Sequence, residues 1–328
     1  MAVGAIGAVA VGVVLATGFL APPATPSNPA PAPAGLARTV VRSGVGAFAF
    51  GDGQLWVDDA TAGTLRRVDP ARGTTIGPVV HLGNQPTALA VADGRVWVAE
   101  RAAGTLVAVS TRTHRRVGPA VAVGADPIAV VAAYGDVWVG SLQAGTVTAV
   151  DARSGQVVAT SALPDGVVRL AAGDGAIWAT GQTDTLSRIS PHPTGVALSF
   201  RTGTVGSGPI GVTVADGAVW TADLSGGTVD RVSPRSLVPT GSLVPAGTAR
   251  TTGTTAGAGG PETVAVLGRT VWTADYSDAQ VTATLASGRP AGTPVKVHGP
   301  VTALVAWHGD LWVATTNPGR LLEVTPAS

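Results

Sequence analysis

Four carboxylates fall at equivalent places in the chain. Asp59, Glu100, Asp223 and Asp275 each stand three residues after a tryptophan, and Ser141, Gly181 and Thr315 take the same place after three further tryptophans. Asp58, Tyr276 and Asp278 lie beside them in sequence. If all these positions faced one opening, like charges would crowd there and hold one another protonated to higher pH unless a cation or an arginine intervened. Oxygen ligands of this kind suit Ca²⁺ or Mg²⁺ rather than a thiophilic metal. Asp59, Glu100, Asp223 and Asp275 are therefore the candidate ligands of such an ion or of a ligand's cationic group. A structural reading competes: short polar residues end strands and accept backbone hydrogen bonds in turns. Arg42 and Arg101, expected on the same face, would neutralise the acids with no ligand at all.

A second set of residues lies in loops between recurring segments: Asn84-Gln85-Pro86, Asp126-Pro127, Asp165-Gly166, Ser207-Gly208-Pro209, Glu262 after Pro261, and His298-Gly299-Pro300. Pro and Gly set turns first in such loops, and binding is an added role. Glu262 and His298, with Tyr276, join the candidate ligand-binding set. Catalytic motifs are scarce. The chain has no G-x-S-x-G elbow, no HExxH and no GxxxxGK[ST] loop. Its five histidines, His81, His114, His192, His298 and His308, form no close His-x-Glu pair. No residue is assigned as catalytic, and the reading leans away from an enzyme. The one compact basic cluster, Arg112, His114, Arg115 and Arg116, reads as a solvated outer strand edge that discourages strand addition.

The elements that must position these residues are strands. Of 328 residues, 45 are Gly and 24 are Pro, which argues against long helices. Lys and Glu, the usual cover of exposed helix faces, are nearly absent: Lys296 stands alone, with Glu100, Glu262 and Glu323. A net charge of +1 gives no field to attract nucleic acid. Zero Cys excludes disulfides, thiolate metal sites and Cys nucleophiles without fixing the compartment.

Residues 1–20 carry no charged side chain, and about 20 helical residues span about 30 Å of hydrocarbon. The segment reads as a membrane anchor. A secretory signal would begin with Lys or Arg, and this start lacks one, so the natural chain could also extend upstream of Met1. Residues 21–35 hold Pro22, Pro23, Pro26, Pro29, Pro31 and Pro33, a composition that favours a semi-rigid polyproline stalk. The alternative is cleavage after Ala30, Ala32 or Ala34, which releases a secreted product. Both readings place residues 36–328 outside the cytoplasm.

Tryptophan reveals the period of the rest. Trp56, Trp97, Trp138, Trp178, Trp220, Trp272 and Trp312 are 41, 41, 40, 42, 52 and 40 residues apart, and a Gly turn precedes each, as in GDGQLWV at 51–57 and ADGRVWV at 92–98. The sixth copy, LGRTVWT at 267–273, has its Gly one position earlier. A second turn follows most of the tryptophans, as at Gly63-Thr64 and Gly104-Thr105. Between the turns lie alternating, β-branched stretches too short for helices. Four antiparallel strands in about 41 residues make a propeller blade, which needs neighbours in a ring to bury both faces. The repeated Trp is then a blade-to-blade packing residue. The seventh copy stops one strand short, and Leu36–Arg42 is a surplus extended segment of suitable length. It is expected at the outer edge of blade seven, closing the ring. The expected fold is all-β: a seven-bladed β-propeller over 36–328. The longer spacing before Trp272 places an insertion at Val244–Gly260, a surface excursion or a lid over the mouth.

Repeats such as VGADPIAVVAAYGDVWVGSLQAGTVTAVDARSGQVV at 123–158 resemble the YVTN or YncE-like propeller repeats, which are also similar to those of streptogramin B lyases. The resemblance covers about 36–328 and implies a seven-bladed propeller without settling chemistry. The lyases use a His and Glu cluster with Mg²⁺ to open their substrate's ring by elimination. Here a second top-face histidine is missing, because His308 belongs to a bottom turn, so that activity is not carried over. The sequence thus reads as an exported, membrane-anchored binding or sensing module for a small molecule, a peptide or a cell-envelope component. A metal-dependent lyase or hydrolase is the first alternative. The external sensor of a longer membrane signalling protein, whose anchor, stalk and ring layout it resembles, is the second.

Overall fold

Turn chemistry defines the strand ends. In six repeats the recurring x-Gly pair before the Trp strand has two successive left-handed residues, Asp52-Gly53, Asp93-Gly94, Tyr134-Gly135, Asp174-Gly175, Asp216-Gly217 and His308-Gly309. That is the requirement of a two-residue type I′ hairpin, whose twist matches the strands it joins. In the sixth repeat only Gly268 of the Gly268-Arg269 pair is left-handed, which explains why its Gly comes one position earlier.

The computed structural model describes residues 35–83, 85–191, 198–245, 260–276, 279–317 and 319–326. The apolar segment 1–20, the Pro-rich segment up to residue 34, His192, Asp278 and most of the insertion, 246–259, lie outside the described residues. Among the described residues, strands form seven four-stranded antiparallel sheets, and no helix is long and apolar enough to cross a membrane. Each of the first six blades runs from an inner to an outer strand in chain order. Blade two, for example, comprises Pro86–Ala92, Arg95–Glu100, Thr105–Ser110 and Arg116–Ala122. The first strands of successive blades pack beside one another around the axis. The chain is the seven-bladed propeller that its repeats imply.

The repeat tryptophans lie on the second strands and are all nearly inaccessible, the most exposed being Trp272 at 5%. They pack in apolar clusters that cross the blade seams, as Trp56 and Trp97 do with residues of blades one to three. Ring closure follows the expected staple. Leu36–Val41 pairs antiparallel with Arg320–Thr325 and becomes the outer strand of blade seven. Val40 and Val41 are buried, and Arg38 links Glu323 to the Pro70 and Ala71 carbonyls of blade one. The eighth tryptophan, Trp307, stacks on Phe50 across the same seam, with ring centroids 3.9 Å apart.

The basic cluster is at an outer edge, yet it is not merely solvated. Arg116 pairs with Glu100 at 2.7 Å. His114 lays its ring against Trp56 and its Nδ1 against the Pro78 carbonyl at 3.0 Å.

Candidate functional site

The positions three after each tryptophan share one end of the ring. Register fixes this: Glu100 pairs with Pro86, Ser141 with Pro127, Asp223 with Pro209 and Thr315 with Val301, each at the start of an inner strand. Several of these side chains meet the loop that leaves the preceding blade. Ser141 Oγ donates to the Val123 carbonyl at 2.7 Å and Thr315 Oγ1 to the His298 carbonyl at 3.4 Å. Glu100 is buried and accepts from Arg116, which also donates to the Leu82 carbonyl. Glu100 therefore serves the seam between blades one and two. Asp59 caps its own turn through the Thr61 and Ala62 amides. Arg101 is committed to Asp126, with Nη2 to Oδ2 at 3.2 Å. Arg42 and His298 are exposed. Among the described residues no three His, Asp or Glu side chains lie close enough together to hold a metal ion, so the four carboxylates are not one ligand set.

Asp223 lies in a tighter seam. It is fully buried, takes a hydrogen bond from Thr228 Oγ1 at 3.3 Å, and faces Gly206 of the preceding loop. A Cβ on Gly206 would stand 2.2 Å from the Asp223 carboxyl carbon, and Gly206 has a positive φ. Asp230 accepts the Gly206 amide at 3.1 Å and Asp184 the Gly208 amide at 2.9 Å, so three acids surround one loop. Burial, followed by the nearby Asp230, pushes the Asp223 carboxyl up to about 7. Gly206→Ala is expected to cost at least about 2 kcal/mol, because a strained φ and a steric clash coincide. Denaturant unfolding at fixed pH measures it, and a stability within about 0.5 kcal/mol of the parent would contradict this packing.

Two charged residues stand in the layer just below: Asp58, noted in the sequence only as a neighbour of the acidic set, and Arg169, which the sequence reading did not single out. Two positions after the tryptophan the repeats carry Ala99, Gly140, Thr180, Ala222, Ala274 and Ala314, but Asp58 in blade one. Asp58 is fully buried, its Oδ1 accepting the Ala47 amide at 2.6 Å, and burial pushes it up to about 7 against the pull of that amide. Opposite this layer the inner strands carry Ala47, Ala88, Ala129, Gly211, Thr263 and Ala303, but Arg169 in blade four. The signal was present in both cases: one charged residue in a row of small ones.

Arg169 links two blades by its charge. Its charge reaches Glu262 at the top of blade six, two blades away. Gly211 of the intervening blade lets the Glu262 backbone approach, since a Cβ there would stand 2.8 Å from the Glu262 carbonyl. Burial first, then the neighbouring Asp275, raises Glu262, and Arg169 partly offsets them; burial in turn lowers Arg169. Of the residues singled out in the sequence, Glu262 and Asp275 are thus brought together, with half-buried Tyr276 next in the chain. Asp59, Glu100 and Asp223 belong to separate seams.

No protein-family model matches the sequence, and no curated protein matches it. Solved structures do. The chain is similar to a catalytically inactive histidine-to-alanine variant of virginiamycin B lyase from Staphylococcus aureus with quinupristin, at TM-score 0.72 and 16% identity over 88% of this chain and 99% of that one. It is similar to BamB from Moraxella catarrhalis at TM-score 0.60 and 16% identity, over 84% and 81% of the two chains. The WD40 repeats of RRP9 match at TM-score 0.72 and 11% identity, over 90% and 99%. The likeness is one of fold. What it shows is the seven-bladed β-propeller fold, an architecture that serves enzymes and interaction modules alike.

Proposed function

We propose that the chain is an exported, membrane-anchored binding module whose axial mouth takes a cationic group, held by Glu262 and Asp275 beside Tyr276. The carrying observation is the charge coupling of Glu262 to its neighbour Asp275 and to Arg169 two blades away. Burial and then the Asp275 charge raise Glu262, and Arg169 only partly offsets them, so an arriving cation stabilises the ionised form of Glu262. The uncharged segment 1–20 and the Pro-rich stretch after it support export and anchoring, with residues 36–328 held off the membrane as the binding ring.

A thermal-shift series with Ca²⁺, Mg²⁺ and a small amine on the full chain tests the site, because a ligand that prefers the folded state raises apparent stability by mass action. A shift that Glu262→Gln abolishes is the expected result; no shift from any cation at about 100 times a weak millimolar Kd would overturn the reading. Since Glu262 protonates above the ordinary carboxylate range, cation binding is expected to weaken on mild acidification and to return as pH rises through its raised pKa. Protease added to intact cells should cleave the ring if it is exported.

The similarity to virginiamycin B lyase, solved with quinupristin, favours a second reading, a ring-opening elimination of the kind that the resemblance to the streptogramin B lyases implies. Incubation with quinupristin, followed by chromatography, decides it: a new species that depends on Glu262 supports the lyase, and unchanged substrate removes it.

A further inference from the structure

Opposite the mouth, on the face of the type I′ hairpins, a groove of about 820 Å³ opens between blades four and five, lined by Asp174, Arg188, Arg201, Gly217, Ser233, Pro234 and Arg235. Three guanidiniums and one carboxylate face it. Among the described residues, none of the three arginines has an ion-pair partner. Arg188 and Arg201 are also direct cross-strand partners, an arrangement that destabilises a sheet when both carry the same charge.

The molecule holds its own control. In blade seven the same two places pair Glu323 with Arg38: Glu323 lies opposite Trp312 as Arg188 lies opposite Trp178, and Arg38 lies opposite Glu323 as Arg201 lies opposite Arg188. The outer arginines repeat a further contact. Arg38 Nη1 donates to the Ala71 carbonyl of the next blade at 2.9 Å, and Arg201 Nη1 to the Arg235 carbonyl of the next blade at 3.4 Å. The chain segments Asp69-Pro70-Ala71 and Ser233-Pro234-Arg235 correspond. Between the two seams, therefore, Glu323 is replaced by Arg188 and Ala71 by Arg235, while the outer arginine and its carbonyl partner are kept. At the closing seam the charges of the three places sum to zero; at the seam of blades four and five they sum to three positive.

We propose that this groove is an anion site, in which a phosphoryl or carboxylate group of a ligand occupies the place that the Glu323 carboxylate fills in blade seven. Guanidinium donors match either oxyanion in a two-pronged geometry. Arg188 is already oriented, its guanidinium 5.9 Å from the Trp178 ring centre. With Asp174 counted, the groove still carries a net positive charge. The volume suits a small organic molecule that carries the oxyanion, not a bare ion alone.

The test uses the full chain. Apparent stability is followed against sodium phosphate, citrate, glucose 6-phosphate and glucuronate, each compared with sodium chloride at matched ionic strength and with glucose. A concentration-dependent rise with either oxyanion class supports the site, and the class that acts identifies the source. A response no greater than that of chloride overturns it. Arg188→Glu rebuilds the blade-seven pair with Arg201, so the variant is expected to be at least as stable as the parent and to bind about 30-fold more weakly or not at all. An unchanged response in that variant overturns the proposal. Should Arg188→Glu fail to fold, Arg235→Ala restores the residue of blade one at an exposed place and is expected to weaken binding about tenfold; full retention of binding there overturns it equally.

Discussion

The Asp58→Asn, Asp223→Asn double variant is expected to be more stable than the parent at about pH 8, with the difference vanishing toward about pH 4. Both carboxyls are fully buried, and both are pushed from 3.8 up to about 7. An acid whose folded pKa lies above its unfolded value contributes stability that is whole below the unfolded value. That contribution is lost as pH rises through the folded one. Each pKa unit corresponds to about 1.4 kcal/mol, so each ionised group costs up to about 4 kcal/mol in alkaline solution. Asparagine carries no charge to desolvate, and its side-chain oxygen still accepts the Ala47 amide that Asp58 holds. Urea unfolding across a pH series measures the effect. Parallel profiles for parent and variant would show that the two acids ionise freely in the folded ring.

Deleting residues 36–41 should remove a large share of the net stability. Val40 and Val41 lose their burial, at about 1.5–3 kcal/mol each, against a total of roughly 5–15 kcal/mol for a folded domain. The Arg38–Glu323 pair adds little, since Arg38 is half exposed. The larger effect is topological. Arg320–Thr325 would present an unpaired edge, so the shortened chain should also self-associate, visible as a shift in size-exclusion chromatography. A shortened chain that melts and elutes like the parent would mean that blade seven closes without its outer strand.

Much of this architecture was legible in the sequence because a propeller repeats its punctuation. The Trp period, the x-Gly hairpins and the missing fourth strand of the last copy each follow from local chemistry. The direction of the acidic side chains was not legible. Glu100 meets Arg116, which also reaches the Leu82 carbonyl of the preceding loop, and Asp223 meets Gly206, contacts between residues 16 and 17 apart through loops whose path no local pattern specifies. Equivalent positions share an end of the ring, but what each one meets depends on the preceding blade's loop. The mouth was half visible for the same reason. Glu262 and Asp275 could be named from their loops, whereas Arg169 stands out only when a register of small residues is already in hand.

The pairing of Arg38 with Glu323 also sets a clock on biosynthesis. The strand made first must wait for the strand made last, 285 residues later. At about 5–20 residues per second that delay is roughly 15–60 s. Until Arg320–Thr325 has left the ribosome, six blades stand as an open arc, and Leu36–Val41 remains an uncommitted extended segment. Chaperones that shield nascent strands, and proteases that find them, have that interval in which to act.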